Sequence, residues 1–363
     1  MSILFTPFKL GNLEIKNRFV RSATTSYWSE DDGILTDPIL EYYDKLSKGN
    51  IGLIIKGHSF VSEKGKAHEK QSGLSSEIHL ARMKELVELV HRNGSKIIAQ
   101  INHGGYTSIN EKVTASFYER DERQARELTL EEIKQIILDF GKAAKRAVEA
   151  GFDGVQIHAA HGYLISQFLS DRVNKREDEY GGNLEKRMKI LLDVYDEIRK
   201  QLGDKAVVGI KINTDDFSPE GGLSVDNTIV VLKKLKKLGH TFAELSGGGP
   251  EQDRSIRETR GRSAEDSGFH EATWGGHAQK IRLAVPDLPL SLVSGIRTKQ
   301  TMEALLENNI VDLISMSKPF INEPDFVNLL EKGQDKASCI DCFKCISRTN
   351  FAKTMLRCFH KFP

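Results

Sequence analysis

The sequence predicts an α/β fold, a (β/α)8 TIM barrel with an N-terminal hairpin and a short Cys-rich C-terminal tail. Three observations predict it. Eight short segments rich in Val, Ile and Leu alternate with helical patterns along most of the chain, and continuous apolar runs of that length mark parallel strands buried on both faces. The doubly wound open sheet, the rival arrangement, carries a glycine fingerprint after its first strand, where this chain has Ser22-Ala-Thr-Thr-Ser26. Finally, 363 residues at 39% hydrophobic content suffice for the single large core of one barrel.

In chain order, residues 5–18 read as a short hairpin turning at Gly11-Asn12. Strands are expected at 19–23, 51–57, 96–101, 153–158, 206–212, 241–246, 290–294 and 310–316. The helix expected at 77–93 places Leu80, Met83, Leu86, Val87 and Val90 on one face. The helix at 129–150 opens with Thr129-Leu-Glu-Glu132, a capping box. Further helices are expected at 184–202, 225–238, 272–284 and 298–308. Two polar, glycine-containing stretches, 102–127 and 247–271, follow the third and sixth strands and read as lids or binding loops. The barrel is assigned to residues 1–335 and the tail to 336–363.

A formal net charge of +1 gives no case for nucleic acid or a membrane surface as partner. No apolar run approaches the ~18 residues of a membrane span, and Met1-Ser-Ile-Leu-Phe-Thr-Pro7 lacks the pattern of a signal peptide. The expectation is a soluble, cytoplasmic protein.

Chemistry in a barrel sits at the C-terminal ends of its strands. Here those ends supply Ala23-Thr-Thr-Ser-Tyr27, Gly57-His58, Gln100-Ile-Asn-His103, Lys211 with Asn213, Ser294-Gly295-Ile296-Arg297 and Ser317-Lys318. The seventh and eighth strand ends are where barrels commonly bind phosphate, and a helix N-terminus after Arg297 with a cation at Lys318 suits an anion. The fourth strand end is the densest: Asp153-Gly-Val-Gln-Ile-His158-Ala-Ala-His161-Gly-Tyr163-Leu164. Three proton-donating groups within six residues form a polar grip for an oxygen atom.

The continuation, His158-Ala-Ala-His-Gly-Tyr-Leu-Ile-Ser-Gln-Phe-Leu-Ser170 and then Asn174, Arg176 and Asp178-Glu-Tyr-Gly-Gly-Asn-Leu-Glu-Lys-Arg187, resembles the signature of the old yellow enzyme family. These are FMN-dependent ene reductases and NADH:flavin oxidoreductases. The resemblance covers roughly residues 4 to 330. It implies that Ser22, Ala23, Thr24 and Thr25 lie along the FMN ring, with Thr25 bonding the flavin, and that Gly57 and Gln100 touch the isoalloxazine. Lys211 matches a cationic position, usually arginine, beside flavin N1 and O2, and Lys318 replaces the usual arginine at the phosphate, near Gly295, Ile296, Arg297 and Ser317. Tyr27 matches a substrate-contacting tyrosine. The implied reaction takes hydride from NAD(P)H through the flavin to an activated alkene. In it His158 and His161 hold the substrate oxygen and Tyr163 donates the proton. A homo-oligomer is the family's usual state.

All four cysteines (Cys339, Cys342, Cys345, Cys358) fall in the last 25 residues, a clustering that favours metal binding over a disulfide scaffold. The spacing resembles the family's 2,4-dienoyl-CoA reductase and trimethylamine dehydrogenase branch, which implies a [4Fe–4S] cluster; zinc or metal-free thiols are the alternatives. The sequence ends five residues after Cys358, so such a cluster would need an external electron-transfer protein. Two further readings stand beside the ene reductase: an iron–sulfur flavoprotein exchanging electrons with a partner, and a non-catalytic ligand- or metal-binding barrel.

Overall fold

The apolar runs of the sequence close on themselves. In the computed structural model, which describes residues 2–120, 123–249, 270–347, 350 and 354–361, eight parallel strands form a closed barrel. After the hairpin β1 (Phe8–Leu10) and β2 (Leu13–Ile15), the barrel runs β3 (Phe19–Arg21), β4 (Leu53–Phe60) and β5 (Lys96–Asn102). A three-stranded sheet of β6 (Val113–Thr114), β7 (Tyr118–Arg120) and β8 (Arg123–Glu127) interrupts it. The barrel then continues through β9 (Gly154–Ala159), β10 (Val207–Asn213), β11 (Phe242–Ser246), β12 (Leu290–Leu292) and β13 (Leu313–Met316), which pairs back onto β3. The predicted (β/α)8 class and N-terminal hairpin are thus the observed ones.

The barrel has two cores, one on each face of its strands. Inside, Val20, Leu53, Ile98, Val207, Phe242 and Leu313 come from the early part of each strand and pack with Leu10 and Ile15 of the hairpin. The hairpin therefore stoppers the N-terminal end. Gly209 makes room for this filling, because a Cβ there would stand 2.2 Å from the Phe242 ring. Outside, the helices lay their apolar stripes on the barrel; Met83, Leu86, Val87 and Val90 are all buried, as the helical spacing predicts. Thr129 and Glu132 close the capping box of the helix Leu130–Glu149.

Differences from expectation are local. The helix Asp37–Lys48 was not predicted, although Ile39, Leu40, Tyr42, Tyr43 and Leu46 are buried along it. The helix expected at 184–202 divides at Met188 into Leu184–Arg187 and Lys189–Leu202. The stretch 102–127 is not a simple loop, since it contains β6–β8; most of 247–271 lies outside the described residues. The boundary between residues 335 and 336 is bridged: Lys336 pairs with Thr298, and Ala337 N donates to Arg297 O at 2.9 Å. Among the described residues no helix is long and apolar enough to cross a membrane.

Burial of His240 beside the Tyr195 ring, 5.1 Å away, pushes its pKa from 6.5 down to about 3. The folded value lies below the unfolded one, so below pH 6.5 the unfolded chain binds the extra proton and stability falls with pH until the folded value is passed. At about pH 4 this one side chain should cost roughly 3 kcal/mol. Urea unfolding at neutral and acid pH should show a smaller acid loss for His240→Phe; an unchanged loss would contradict it.

Candidate active site

Above the apolar filling, the inward side chains of the strands turn polar. Gln100 Nε2 donates to Gln156 Oε1 (2.6 Å), and Gln156 Nε2 donates to Glu244 Oε2 (3.2 Å). Lys211 Nζ pairs with the same Glu244 oxygen at 3.1 Å and donates to Ser22 Oγ at 2.7 Å. All five side chains are buried. A buried ion pair is tolerated only when its remaining hydrogen-bonding capacity is met. Here Glu244 Oε1 has no partner among the described residues, so the layer is one donor short. An FMN ring, with acceptors and a ring N–H on its pyrimidine edge, matches this set of amide, cation and open acceptor. Gly57 flanks the same mouth; a Cβ there would meet Thr24 O at 2.3 Å. Thr25, Gly57 and His58 line one small cavity. The sequence-predicted residues Ser22, Thr25, Gly57, Gln100 and Lys211 are therefore gathered at the C-terminal end of the barrel.

The polar grip assembles as the spacing suggests. Off the end of β9, the His158 ring lies 5.3 Å from that of His161 and 4.7 Å from that of Tyr163, centroid to centroid. The turn that does this holds His161 at φ +62° and Gly162 at φ +76°, and Tyr163 then begins the short helix Leu164–Leu169. His158 Nδ1 accepts a long hydrogen bond from Ala160 N (3.4 Å), which leaves its proton on Nε2. Burial, followed by the nearby His161, holds the His158 pKa well below 6.5. His161 Nε2 shares a hydrogen bond with Ser246 Oγ at 2.8 Å. Burial raises the Tyr163 hydroxyl above its ordinary value of 10, with Tyr27 adding to the effect.

Two more imidazoles complete the cluster, and neither was predicted as a catalytic or binding residue. His58, at the end of β4, has its ring 5.1 Å from Tyr163 and 5.8 Å from His158. Its tautomer is fixed from behind. Gln71 Oε1 accepts from Ala67 N at 2.7 Å, so the Gln71 amide nitrogen must face His58 Nδ1, 3.1 Å away, as donor. The His58 proton therefore sits on Nε2. His68 stands opposite, with Nε2 3.1 Å from the Tyr163 hydroxyl and its ring 5.1 Å from Tyr27. Burial lowers His68 to about 4. The missed signal was the strand end Gly57-His58 itself; His68 lies ten residues farther on, in a loop without periodicity. Lys56, buried beside Gly57 and pushed down to about 7 by burial, donates to Gly57 O at 3.1 Å.

At the expected phosphate end the groups already have protein partners. Arg297 N and Thr298 N both donate to Glu271 Oε2 at 3.0 Å, so a carboxylate holds the amides expected for phosphate. Arg297 Nη1 donates to Cys339 O (2.9 Å), and Lys318 Nζ pairs with Asp341 at 2.7 Å, over the Phe343 ring. Thr24 Oγ1 and Ser317 Oγ are hydrogen-bonded at 2.7 Å; Gly295 turns at φ +65° and Ile296 is buried. Both cations expected at the phosphate are engaged by the tail. The tail's own cysteines, Cys339, Cys342, Cys345 and Cys358, line one cavity with Lys318 and Phe343. Burial raises the Cys339 thiol to about 11 and Cys345 to about 12. Among the described residues no three His, Cys, Asp or Glu side chains are placed to hold a metal ion, so the arrangement does not fit the iron–sulfur or zinc expectation.

The model of the NADH:flavin oxidoreductase / NADH oxidase family matches residues 3–337. The NADH oxidase of Thermoanaerobacter brockii is 32% identical over 370 residues, covering 98% of this chain and 55% of that protein, so the chain spans about half that relative's length. The NADPH dehydrogenase of Clostridium acetobutylicum is 31% identical over 335 residues, 89% of this chain and 93% of that protein. Among solved structures, a 2-naphthoyl-CoA reductase in complex with 2-naphthoyl-CoA superposes with TM-score 0.91 at 25% identity, over 98% of this chain and 56% of that one.

Replacing Lys211 by Met should strand the buried Glu244 carboxylate and lower unfolding stability by about 3–5 kcal/mol. Lys211→Met with Glu244→Gln should recover much of the loss. Urea titration of the two variants checks this, and equal stabilities would contradict the pairing.

Proposed function

The chain belongs to the NADH:flavin oxidoreductase / NADH oxidase family, the old yellow enzyme family, and from that premise we propose that it is an FMN-dependent ene reductase using NAD(P)H. Its substrate class is an activated alkene, an α,β-unsaturated carbonyl compound or a nitroalkene. The observation that carries this reading is the grouping of His158, His161 and Tyr163 within 4.7–5.3 Å, on the strand end beside Lys211.

When bound, FMN supplies the hydride chemistry, and the protein supplies orientation and electrostatics. Lys211 and Gln100 would hold the polar edge of the ring, with Ser22, Thr25 and Gly57 along it. A fixed cation beside that edge stabilises negative charge there. His158, neutral with its proton on Nε2, and His161 hold the substrate's carbonyl or nitro oxygen. As that oxygen gains negative charge, preorganised N–H donors in a dry site stabilise it without rearranging. His58, fixed as an Nε2–H donor, adds a third such group to the cluster. Tyr163 then gives its hydroxyl proton to the substrate's α-carbon. Its raised pKa keeps that proton in place until the carbon becomes basic.

A second reading concerns residues 336–363. The solved reductase that superposes over 98% of this chain is the longer protein of that pair, and the four cysteines share one cavity. We propose that the tail is a separate thiol-rich unit latched to the barrel by Arg297 and Lys318. Iron, sulfide and zinc analysis after anaerobic purification should find no stoichiometric metal on this unit; a full complement of iron and sulfide, or of zinc, would contradict it.

Tyr163→Phe should slow alkene reduction by about 10²–10⁴-fold while NAD(P)H still bleaches the flavin at close to the wild-type rate. Stopped-flow measurement of the two half-reactions separates them, and equal losses in both would sink the assignment.

A further inference from the structure

A tyrosine that gives a proton to carbon must recover one before the next turnover. Among the described residues the Tyr163 hydroxyl has one hydrogen-bond partner, His68 Nε2 at 3.1 Å. We propose that His68 is the relay that reprotonates Tyr163 from solvent, a role that rests on the reading of Tyr163 as proton donor.

Three imidazoles surround Tyr163, and geometry separates them. His58 has its Nδ1 held by the Gln71 amide, and it is 5% exposed. His158 has its Nδ1 on the Ala160 amide and is 4% exposed. In both, the Nδ1 lone pair is already taken, so neither ring can accept a proton from water there while its Nε2 donates. His68 is only partly buried, and among the described residues no hydrogen bond occupies its Nδ1 while its Nε2 meets the Tyr163 hydroxyl. Its depressed pKa, about 4, keeps the ring neutral at ordinary pH, and a neutral imidazole carries a proton on one nitrogen and a lone pair on the other.

The step balances without any further reagent. The proton on His68 Nε2 passes to the Tyr163 oxyanion, breaking the N–H bond and forming the O–H bond. At the same time the Nδ1 lone pair takes a proton from water, leaving hydroxide to the bulk. The ring ends as the other neutral tautomer and returns to the first by giving the Nδ1 proton to water and taking one from water at Nε2. No electrons change hands, and one proton enters per turnover. His68 is thus a positioning and relay residue that acts through Tyr163.

The test compares the first turnover with later ones. Enzyme loaded with FMN and fully reduced beforehand is mixed with 2-cyclohexenone and excess NADPH, and enone reduction is followed through successive turnovers for wild type, His68→Ala and His68→Gln. Tyr163 starts protonated, so the loss should spare the first turnover and fall on the following ones, by about 10²-fold. Free imidazole should restore His68→Ala, which leaves space for it. His68→Gln keeps a hydrogen bond to Tyr163 but cannot pass a proton, so it should be as slow as His68→Ala. A readout independent of turnover is the ¹⁵N resonance of His68 Nε2, which should move in Tyr163→Phe. A slowed first turnover, wild-type behaviour of His68→Gln, or an unmoved resonance would each overturn the relay. Failure of the underlying reading looks different: Tyr163→Phe itself would reduce the alkene at the wild-type rate.

Discussion

The ion pair of Lys211 with Glu244, buried inside a closed barrel, is the constraint on which the site depends. Two charges at 5% and 0% exposure are costly unless other groups share their hydrogen bonds. The protein meets that cost with a chain of amides, Gln100 to Gln156 to Glu244, and with Ser22 on the far side of the lysine. Five elements of the barrel are tied together by these contacts at a single level. Below that level the filling is apolar and stoppered by the hairpin; above it the strand ends open into the imidazole cluster. The change from apolar to polar along each strand thus fixes where a ligand can sit.

Burial also sets the chemistry of the cluster. Desolvation is the largest influence on His58, His68, His158 and Tyr163, and it favours the neutral form of each. Four neutral groups of this kind offer N–H and O–H donors without carrying a permanent positive charge. Lys211, paired with Glu244, lies beneath them in the polar layer. Donors above and charge below suit a reaction in which negative charge develops on a flat ligand and on the oxygen of a second one bound over it.

Much of this was legible in the sequence because it depends on local pattern. Strand apolarity, the hairpin turn, the Thr129–Glu132 box and the His158–His161–Tyr163 spacing each act over a few residues. The helix Asp37–Lys48 was missed because its apolar face includes Tyr42 and Tyr43, whose hydroxyls reach Arg21 and the Gly57 amide across the fold. His68 was missed for a related reason: only tertiary folding of the loop after β4 brings it to Tyr163. At the expected phosphate end the partners of Arg297, Thr298 and Lys318, namely Glu271 and the tail, come from elsewhere in the chain and were not legible in the sequence. Side chains whose partners come from elsewhere in the chain are the ones that spacing cannot assign.

The central claim is that the polar layer and the imidazole cluster serve one flavin and one electron-poor alkene in turn. The most direct measurement is a single anaerobic spectral titration of the FMN-loaded protein. The account predicts a yellow protein that NAD(P)H bleaches and an enone recolours, while the corresponding saturated ketone does not. A protein that binds no flavin, or one that stays bleached when the enone is added, would contradict it.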